Sequence, residues 1–158
     1  MNEARFNTII RNSLIDISGF AYKISDVGGG SQQRRPFDGI ATYNGQALFW
    51  EAKLSKGIKA FNLGELFEGT RGHQMETFNT IHVAAPNVEL RVILCCYIPS
   101  RSRVYVFEYQ DLKTLFDRGV TSLLKVHLEA LPHANIFKDR ITNMNPIDGE
   151  LIAEQVGG

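Results

Sequence analysis

The stretch RPFDGIATYNGQALFWEAKLS, residues 35–55, has the pattern of a β-hairpin. The Asn-Gly dipeptide at 44–45 favours a two-residue type I′ turn, because Asn and Gly tolerate the positive φ that both turn positions need. Apolar residues flank the dipeptide on both sides, which predicts two strands that pair with each other. The arms also carry Asp38, Glu51 and Lys53, although charged side chains are rarely buried without a partner.

The turn determines which residues of the two arms face each other. With the dipeptide in the turn, Tyr43 lies opposite Gln46, and counting outward from that pair brings Asp38 opposite Glu51. Their Cβ atoms would then be about 4.5 to 5.5 Å apart. Two carboxylates at this distance repel each other, so we expect a positive group between them. Lys53 lies two residues beyond Glu51, and strand alternation puts its amine on the same face.

The other face of the hairpin is predicted to be packed. Trp50 and Ala52 point there, and Gly39, opposite Trp50, leaves space for the indole. The charged face then combines two hard oxygen ligands with an ammonium group, a set that suits Mg²⁺ or Mn²⁺ and phosphate oxygens. This pattern indicates metal-dependent phosphodiester hydrolysis. The alternative is a solvated charge cluster at the end of a hairpin, but such a cluster gives no reason for two acids to face each other.

Composition limits the number of domains and the compartment. A chain of 158 residues with 44% hydrophobic and 22% charged residues is typical of one globular domain. We expect this domain to span residues 1–141, with a loosely ordered tail at 142–158. The apolar stretches are strand-sized and the N-terminus is polar, so we expect a cytoplasmic protein that does not contact a membrane. Cys95 and Cys96 are adjacent in a predicted strand, which favours two buried free thiols.

Charge is distributed unevenly along a chain whose formal net charge is +0. Residues 1–60 contain eight lysines and arginines against five acidic residues, and the remainder has nine against twelve. If a metal ion neutralised Asp38 and Glu51, the first part would be distinctly positive, as a phosphate-binding surface should be. Ordinary surface asymmetry explains the same counts equally well.

The remaining sequence predicts an alternating order of elements. Helices, strands and one irregular segment follow from the apolar periodicity and from the stop signals at Gly19, Pro86 and Gly119. They are a helix at 3–17, a strand at 20–27, the hairpin, an irregular segment at 57–72, a helix at 73–83, strands at 90–98 and 103–108, and a helix at 109–118. This order predicts an α/β fold with a mixed central sheet flanked by helices.

The hairpin resembles the core motif of the PD-(D/E)xK nuclease superfamily. "P-F-D" followed by "E-A-K", with Glu51 thirteen residues after Asp38, matches that motif. Within the superfamily, the chain looks most like Holliday junction resolvases of the RecU and Hjc types. The resemblance implies a restriction-endonuclease-like core. It also implies that Asp38, Glu51 and the backbone carbonyl of Ala52 bind Mg²⁺, for which Mn²⁺ can substitute, and that Lys53 is the catalytic lysine.

The resemblance implies further residues around this site. Glu3 matches an acidic residue of the first helix, although a first-turn acid is also favoured by the helix dipole alone. Gln74 matches a helix glutamine that positions the metal site or its water, although it is also an ordinary polar residue near a helix start. We expect contacts to DNA from a serine and several basic residues that flank the hairpin and open the next helix. These are Ser31, Arg34, Arg35, Lys56, Lys59, Arg71 and His73.

Three functions are consistent with these residues. The leading hypothesis is a Mg²⁺-dependent, homodimeric endonuclease that resolves four-way DNA junctions by symmetric nicking, because a two-fold dimer suits a two-fold junction. The second is another DNA nuclease of the same superfamily, of the repair or restriction type. The third is a catalytically silent protein that binds DNA or modulates recombination, which would not need to keep two acids and a lysine together.

Overall fold

The computed structural model describes residues 2–24, 36–57, 60–69, 72–97, 102–132 and 134–136. Several predictions lie outside these ranges. They are the predicted C-terminal tail, the end of the strand predicted at 20–27, and five of the predicted DNA contacts, namely Ser31, Arg34, Arg35, Lys59 and Arg71.

Five helices and eight strands alternate along the described chain. In chain order they are α1 (Glu3–Ser18), β1 (Ala21–Lys23), β2 (Gly39–Tyr43), β3 (Gln46–Lys56), β4 (Phe61–Asn62), α2 (Leu63–Glu68), α3 (Gly72–Ala84), β5 (Glu89–Tyr97), β6 (Ser102–Glu108), α4 (Tyr109–Asp117), β7 (Ser122–Leu123), α5 (Lys125–Glu129) and β8 (Ala134–Ile136).

Six of these strands form the central sheet in the order β1-β2-β3-β5-β6-β8. The β3–β5 pair is parallel and the other pairs are antiparallel, so the sheet is mixed. A parallel pair needs a crossover connection, and α2 and α3 lie in the connection between β3 and β5. The prediction of an α/β fold with a mixed sheet flanked by helices is confirmed. β4 and β7 form a separate two-stranded sheet.

Helix α1 has the boundaries that its sequence signals predict. The Asn2 side chain accepts a hydrogen bond from the Arg5 N–H at 2.8 Å and so caps the first turn. The helix ends at Ser18, and Gly19 caps it with a φ of 79°, in the left-handed region that glycine adopts without strain. Its buried apolar residues recur at helical spacing and face the sheet; they are Phe6, Ile9, Ile10 and Leu14.

The core consists of two clusters, one on each face of the sheet. The first cluster joins the apolar stripe of α1 to Trp50 and Ala52 of β3 and to buried residues of β5 and β6. The second joins the opposite face, including Val92 of β5, to buried side chains of α2, α3 and α4. Cys95 belongs to the first cluster and Cys96 to the second, and both are buried free thiols, as predicted.

The segment predicted to be irregular contains regular structure. The Asn62 side chain accepts a hydrogen bond from the Glu65 N–H at 2.9 Å and caps α2, whose Leu63 and Leu66 are buried. A six-residue helix is too short to show a periodic pattern, so apolar periodicity does not indicate it. In the described part of the chain, no helix has both the length and the apolar composition needed to span a membrane.

Candidate active site

The hairpin has the turn and the register that its sequence predicts. Asn44 and Gly45 have φ values of 51° and 77°, as a type I′ turn requires. Tyr43 pairs with Gln46 next to the turn, and the β2–β3 ladder continues regularly to Gly39 opposite Trp50. Alternate side chains of β3 therefore point to the faces of the sheet that the sequence predicts for them.

Trp50 anchors β3 to the first cluster. Its side chain is fully buried, and its indole Nε1 donates a hydrogen bond to Asn7 Oδ1 on α1 at 2.9 Å. A Cβ atom at Gly39 would lie 2.2 Å from the indole ring, so only glycine fits at this position. Because Trp50 is held on the α1 side, strand alternation directs Glu51 and Lys53 to the opposite face.

Asp38 lies just beyond the last ladder pair. Its N–H donates to the Trp50 carbonyl at 2.9 Å, and its Oδ2 accepts a hydrogen bond from the Ala52 N–H at 2.7 Å. The predicted ladder pair between Asp38 and Glu51 is therefore wrong in detail, because the chain leaves the regular ladder before Gly39. The two carboxyl groups are nevertheless close enough that the charge of Asp38 raises the pKa of Glu51, as the predicted proximity requires.

Both carboxyl groups are almost completely buried, with Asp38 1% and Glu51 2% exposed. Burial, followed by repulsion from Asp38, raises the pKa of Glu51 from its ordinary value of 4.5 to about 9, and the Lys53 ammonium opposes this increase. The partner of Glu51 on β5 is Val92, a fully buried member of the second cluster, which explains the low polarity around the carboxyl group. A positive ion at this position would remove most of the penalty.

Lys53 connects the buried carboxyl groups to the surface. Its Nζ lies 3.4 Å from Glu51 Oε1, and its side chain is 11% exposed. It also lines a cleft of about 420 Å³ between β3 and the β4–α2 segment, whose floor includes Phe61, Leu66 and Leu94. The predicted position of the lysine amine on the face of Glu51 is confirmed.

The backbone at Ala52 presents a third oxygen to this site. In a β-strand the N–H and C=O of one residue point to the same side, and the Ala52 N–H points to Asp38. The β2–β3 ladder ends at Trp50, so the Ala52 carbonyl points to the side of β3 on which Asp38 lies.

The donor set fits a hard divalent cation. Two carboxyl groups and a backbone carbonyl are the oxygen ligands that Mg²⁺ takes, with water and phosphate oxygens completing the shell. Glu51 Oε2 is buried and accepts no hydrogen bond from the described residues, so it has an unused acceptor. Over the same residues no group of three or more His, Cys, Asp or Glu side chains could hold a metal ion.

The other predicted site residues lie at different positions. Glu3 is in the first turn of α1, one turn before Asn7, and α1 covers the opposite face of the sheet from Glu51. His73 and Gln74 lie at the start of α3, where the described structure covers their backbone only. Lys56 ends β3 and is exposed, and strand alternation directs it away from the face that carries Lys53.

Sequence reasoning missed two residues that support the site. Asn7 binds the Trp50 indole; its position on the apolar stripe of α1, next to Phe6, was a readable signal of a buried polar residue. Phe37 stacks on Phe49 with ring centroids 4.6 Å apart and an interplanar angle of 7°. This stack flanks Asp38 in the chain, and only the folded structure reveals it.

Comparison of the chain with models of protein families finds no match, and comparison with curated proteins finds none either. The interpretation of the site therefore depends on its geometry and on the motif described above.

Proposed function

We propose that this protein is a Mg²⁺-dependent endodeoxyribonuclease with a restriction-endonuclease-like core, and that its substrate is a four-way DNA junction. The proposal depends on one observation: the carboxyl groups of Asp38 and Glu51 are buried next to each other with the Lys53 ammonium 3.4 Å from Glu51. A binding surface does not need two adjacent buried acids, because they weaken folding and repel phosphate. A site that holds a divalent cation does need them.

The residues that would hold Mg²⁺ or Mn²⁺ are Asp38, Glu51 and the Ala52 carbonyl. When bound, the cation supplies Lewis acidity that favours deprotonation of water and neutralises charge on the scissile phosphate. Asp38 is positioned for this role by the 2.7 Å hydrogen bond from the Ala52 N–H, which holds Oδ2 against β3. The site is therefore rigid on the side of the strand, as a preorganised electrostatic site should be.

The proposed role of Lys53 is next to the scissile phosphate. Its ammonium group is a three-proton donor at the boundary between the buried acids and the open cleft. From there it can donate a hydrogen bond to a non-bridging phosphate oxygen or hold the attacking water in line with phosphorus. Lys53 is three residues after Trp50 on β3, so the packing of Trp50 on the α1 side keeps the lysine amine on the opposite face, with Glu51.

The choice of DNA junction as substrate comes from the RecU-like and Hjc-like sequence around the hairpin. It is supported by the excess of basic residues in positions 1–60, which suits contacts to phosphates on several arms. A homodimer would present two equivalent sites to the two-fold symmetric junction. Such an enzyme would act in the cytoplasm.

A cleavage assay tests the proposal directly. Purified protein is incubated with labelled four-way junction and with linear duplex of the same arm sequence, in Mg²⁺, in Ca²⁺ and in excess chelator. We expect paired nicks in the junction with Mg²⁺ or Mn²⁺, binding with little cleavage in Ca²⁺, and loss of cleavage in Asp38→Asn. Glu129→Gln removes an exposed carboxylate of α5 and serves as the matched control with normal activity.

Near wild-type cleavage by Asp38→Asn, or strong cleavage in chelator, would contradict the metal site. Equal cleavage of junction and linear duplex would be consistent with the proposed nuclease activity but would reject the junction as the preferred substrate. A monomer both in solution and on DNA would reject symmetric nicking.

A further inference from the structure

Two aromatic side chains are exposed side by side at the edge of the central sheet. Phe20 immediately precedes β1 and is 48% exposed, and Tyr22 in the middle of β1 is 60% exposed. The Thr42 N–H donates to the Phe20 carbonyl at 3.4 Å, so Phe20 continues the β1–β2 pairing. Because residues i and i+2 of a strand share a face, both rings lie on the same face of the sheet.

That face is the one that carries Glu51. Tyr22 pairs with Ile40 of β2, and Ile40 pairs with Phe49 of β3, so these three side chains form one row across the sheet. Glu51 is two residues beyond Phe49 and lies on the same side. From the spacing of strands and residues in a sheet, the Cα atoms of Tyr22 and Glu51 are about 12 Å apart.

Strand β1 is packed against the rest of the protein through its opposite face. Ala21 packs against the first cluster, and the Lys23 ammonium lies 3.2 Å from Thr8 Oγ1 of α1. Phe20 and Tyr22 instead leave 48% and 60% of their surface in water. Large aromatic side chains that remain exposed beside a candidate active site are suited to contact a ligand.

The backbone spacing of Phe20 and Tyr22 is compatible with stacked bases. Two residues along a strand are about 6.8 Å apart, which is about twice the 3.4 Å rise per base of a DNA strand. One base therefore fits between side chains that stand perpendicular to the sheet. Stacking of bases on aromatic residues of a sheet surface is an established mode of binding to unpaired nucleotides.

We propose that Phe20 and Tyr22 form a stacking platform for unpaired bases of the DNA strand that enters the active site. The inference rests on the proposed function in taking DNA as the ligand, and it adds that the enzyme selects nucleotides outside a regular duplex. Bases inside a duplex are already stacked on their neighbours, so only unpaired bases gain by moving onto the platform. This contact requires no base-specific hydrogen bond and is tolerant of sequence.

A second copy of this chain is a less suitable occupant. A stable interface buries about 800 Å² on each partner, whereas two half-exposed aromatic rings supply far less. The exposed neighbour on the same face is the polar Thr42, and β1 offers only three residues for edge pairing.

The test compares two DNA probes in chelator, where cleavage is prevented. One probe is a blunt duplex, and the other has the same duplex with a short single-stranded extension that carries 2-aminopurine. Anisotropy gives the affinity for each probe, and 2-aminopurine fluorescence reports stacking. We expect tighter binding of the extended probe, with quenching on binding.

Each of Phe20→Ala and Tyr22→Ala should lower affinity for the extended probe by about 5-fold to 100-fold and reduce quenching. Affinity for the blunt duplex should not change. Tyr22→Phe keeps the ring and should retain both signals. Val126→Ala, which trims another exposed apolar residue on α5, is the control for loss of apolar surface and should behave as wild type.

Equal affinity of wild type and both alanine variants for the extended probe would overturn the platform. Conversion of a dimer to a monomer by Tyr22→Ala, measured by sedimentation, would also overturn it and assign the surface to a second copy. Ring-dependent binding by a protein that cleaves no DNA in Mg²⁺ would reject the proposed nuclease and retain the platform. Cleavage in Mg²⁺ by a protein whose DNA affinity is the same with and without the two rings would reject the platform and retain the proposed nuclease.

Discussion

Replacing Glu51 with glutamine should stabilise the folded, metal-free protein, and the gain should increase with pH. Glutamine has nearly the same shape as glutamic acid but no titrating proton. In the folded wild-type protein, burial and the adjacent Asp38 raise the pKa of Glu51 to about 9, from 4.5 in the unfolded chain. Between these values the folded protein holds a proton that the unfolded chain releases.

The sign and size follow from proton linkage. Because the folded state binds more protons, the free energy of unfolding of wild type decreases as pH rises through this window, by about 1.4 kcal/mol per pH unit for one proton. The Glu51→Gln variant lacks this slope. The stability difference between variant and wild type should therefore increase by about 2 to 3 kcal/mol from pH 6 to pH 8.

Urea unfolding of both proteins at pH 6 and pH 8, in excess chelator, measures this difference. The contributions of other titrating groups to the stability difference cancel, because each group is present in both proteins. When both proteins also carry Asp38→Asn, the increase in the stability difference from pH 6 to pH 8 should be smaller but still present. Asp38 is the second cause of the raised pKa of Glu51, after burial. A difference that is the same at both pH values would show that Glu51 is ionised in the folded protein and would contradict the raised pKa.

Three further predictions concern the same region. Lys53→Met should abolish cleavage in Mg²⁺ while retaining DNA binding in Ca²⁺, and loss of both in a folded variant would assign the lysine to binding only. Gly39→Ala should destabilise the protein by about 1 to 3 kcal/mol in urea unfolding, because a Cβ atom would overlap the Trp50 indole; an unchanged midpoint would contradict this packing. Cys96 should resist aromatic disulfide reagents until the protein is unfolded, since burial raises the pKa of its thiol to about 11; rapid labelling of native protein would show that it is accessible.

The hairpin shows how much local sequence can determine. Its register depends on an Asn-Gly dipeptide and on alternation over fewer than ten residues on each side, so neighbours in the chain contain all the information. That register correctly predicted the glycine opposite Trp50 and the amine of Lys53 on the face of Glu51. Helix α1 was equally readable, because its apolar stripe and its terminal Gly19 are local signals.

The electrostatics of the site depended on contacts that are distant in the chain. Glu51 is buried because β3 pairs in parallel with β5, which places it beside Val92, and a parallel pair has no turn that could indicate its register. Trp50 is held by Asn7, which precedes it by 43 residues. The sequence could show that two acids and a lysine share one face, but not that this face would be closed from water.

Local sequence patterns therefore predicted the hairpin, the first helix, the mixed α/β class and the identity of the charged residues. Contacts between distant segments were needed to show that Asp38 leaves the ladder to accept the Ala52 N–H, that burial raises the pKa of Glu51 to about 9, and that Phe20 and Tyr22 lie on the same side of the sheet as the site. Periodicity and turn chemistry act between close neighbours and are visible in the sequence. Burial and strand pairing between distant segments arise from packing, which leaves no periodic pattern in the chain.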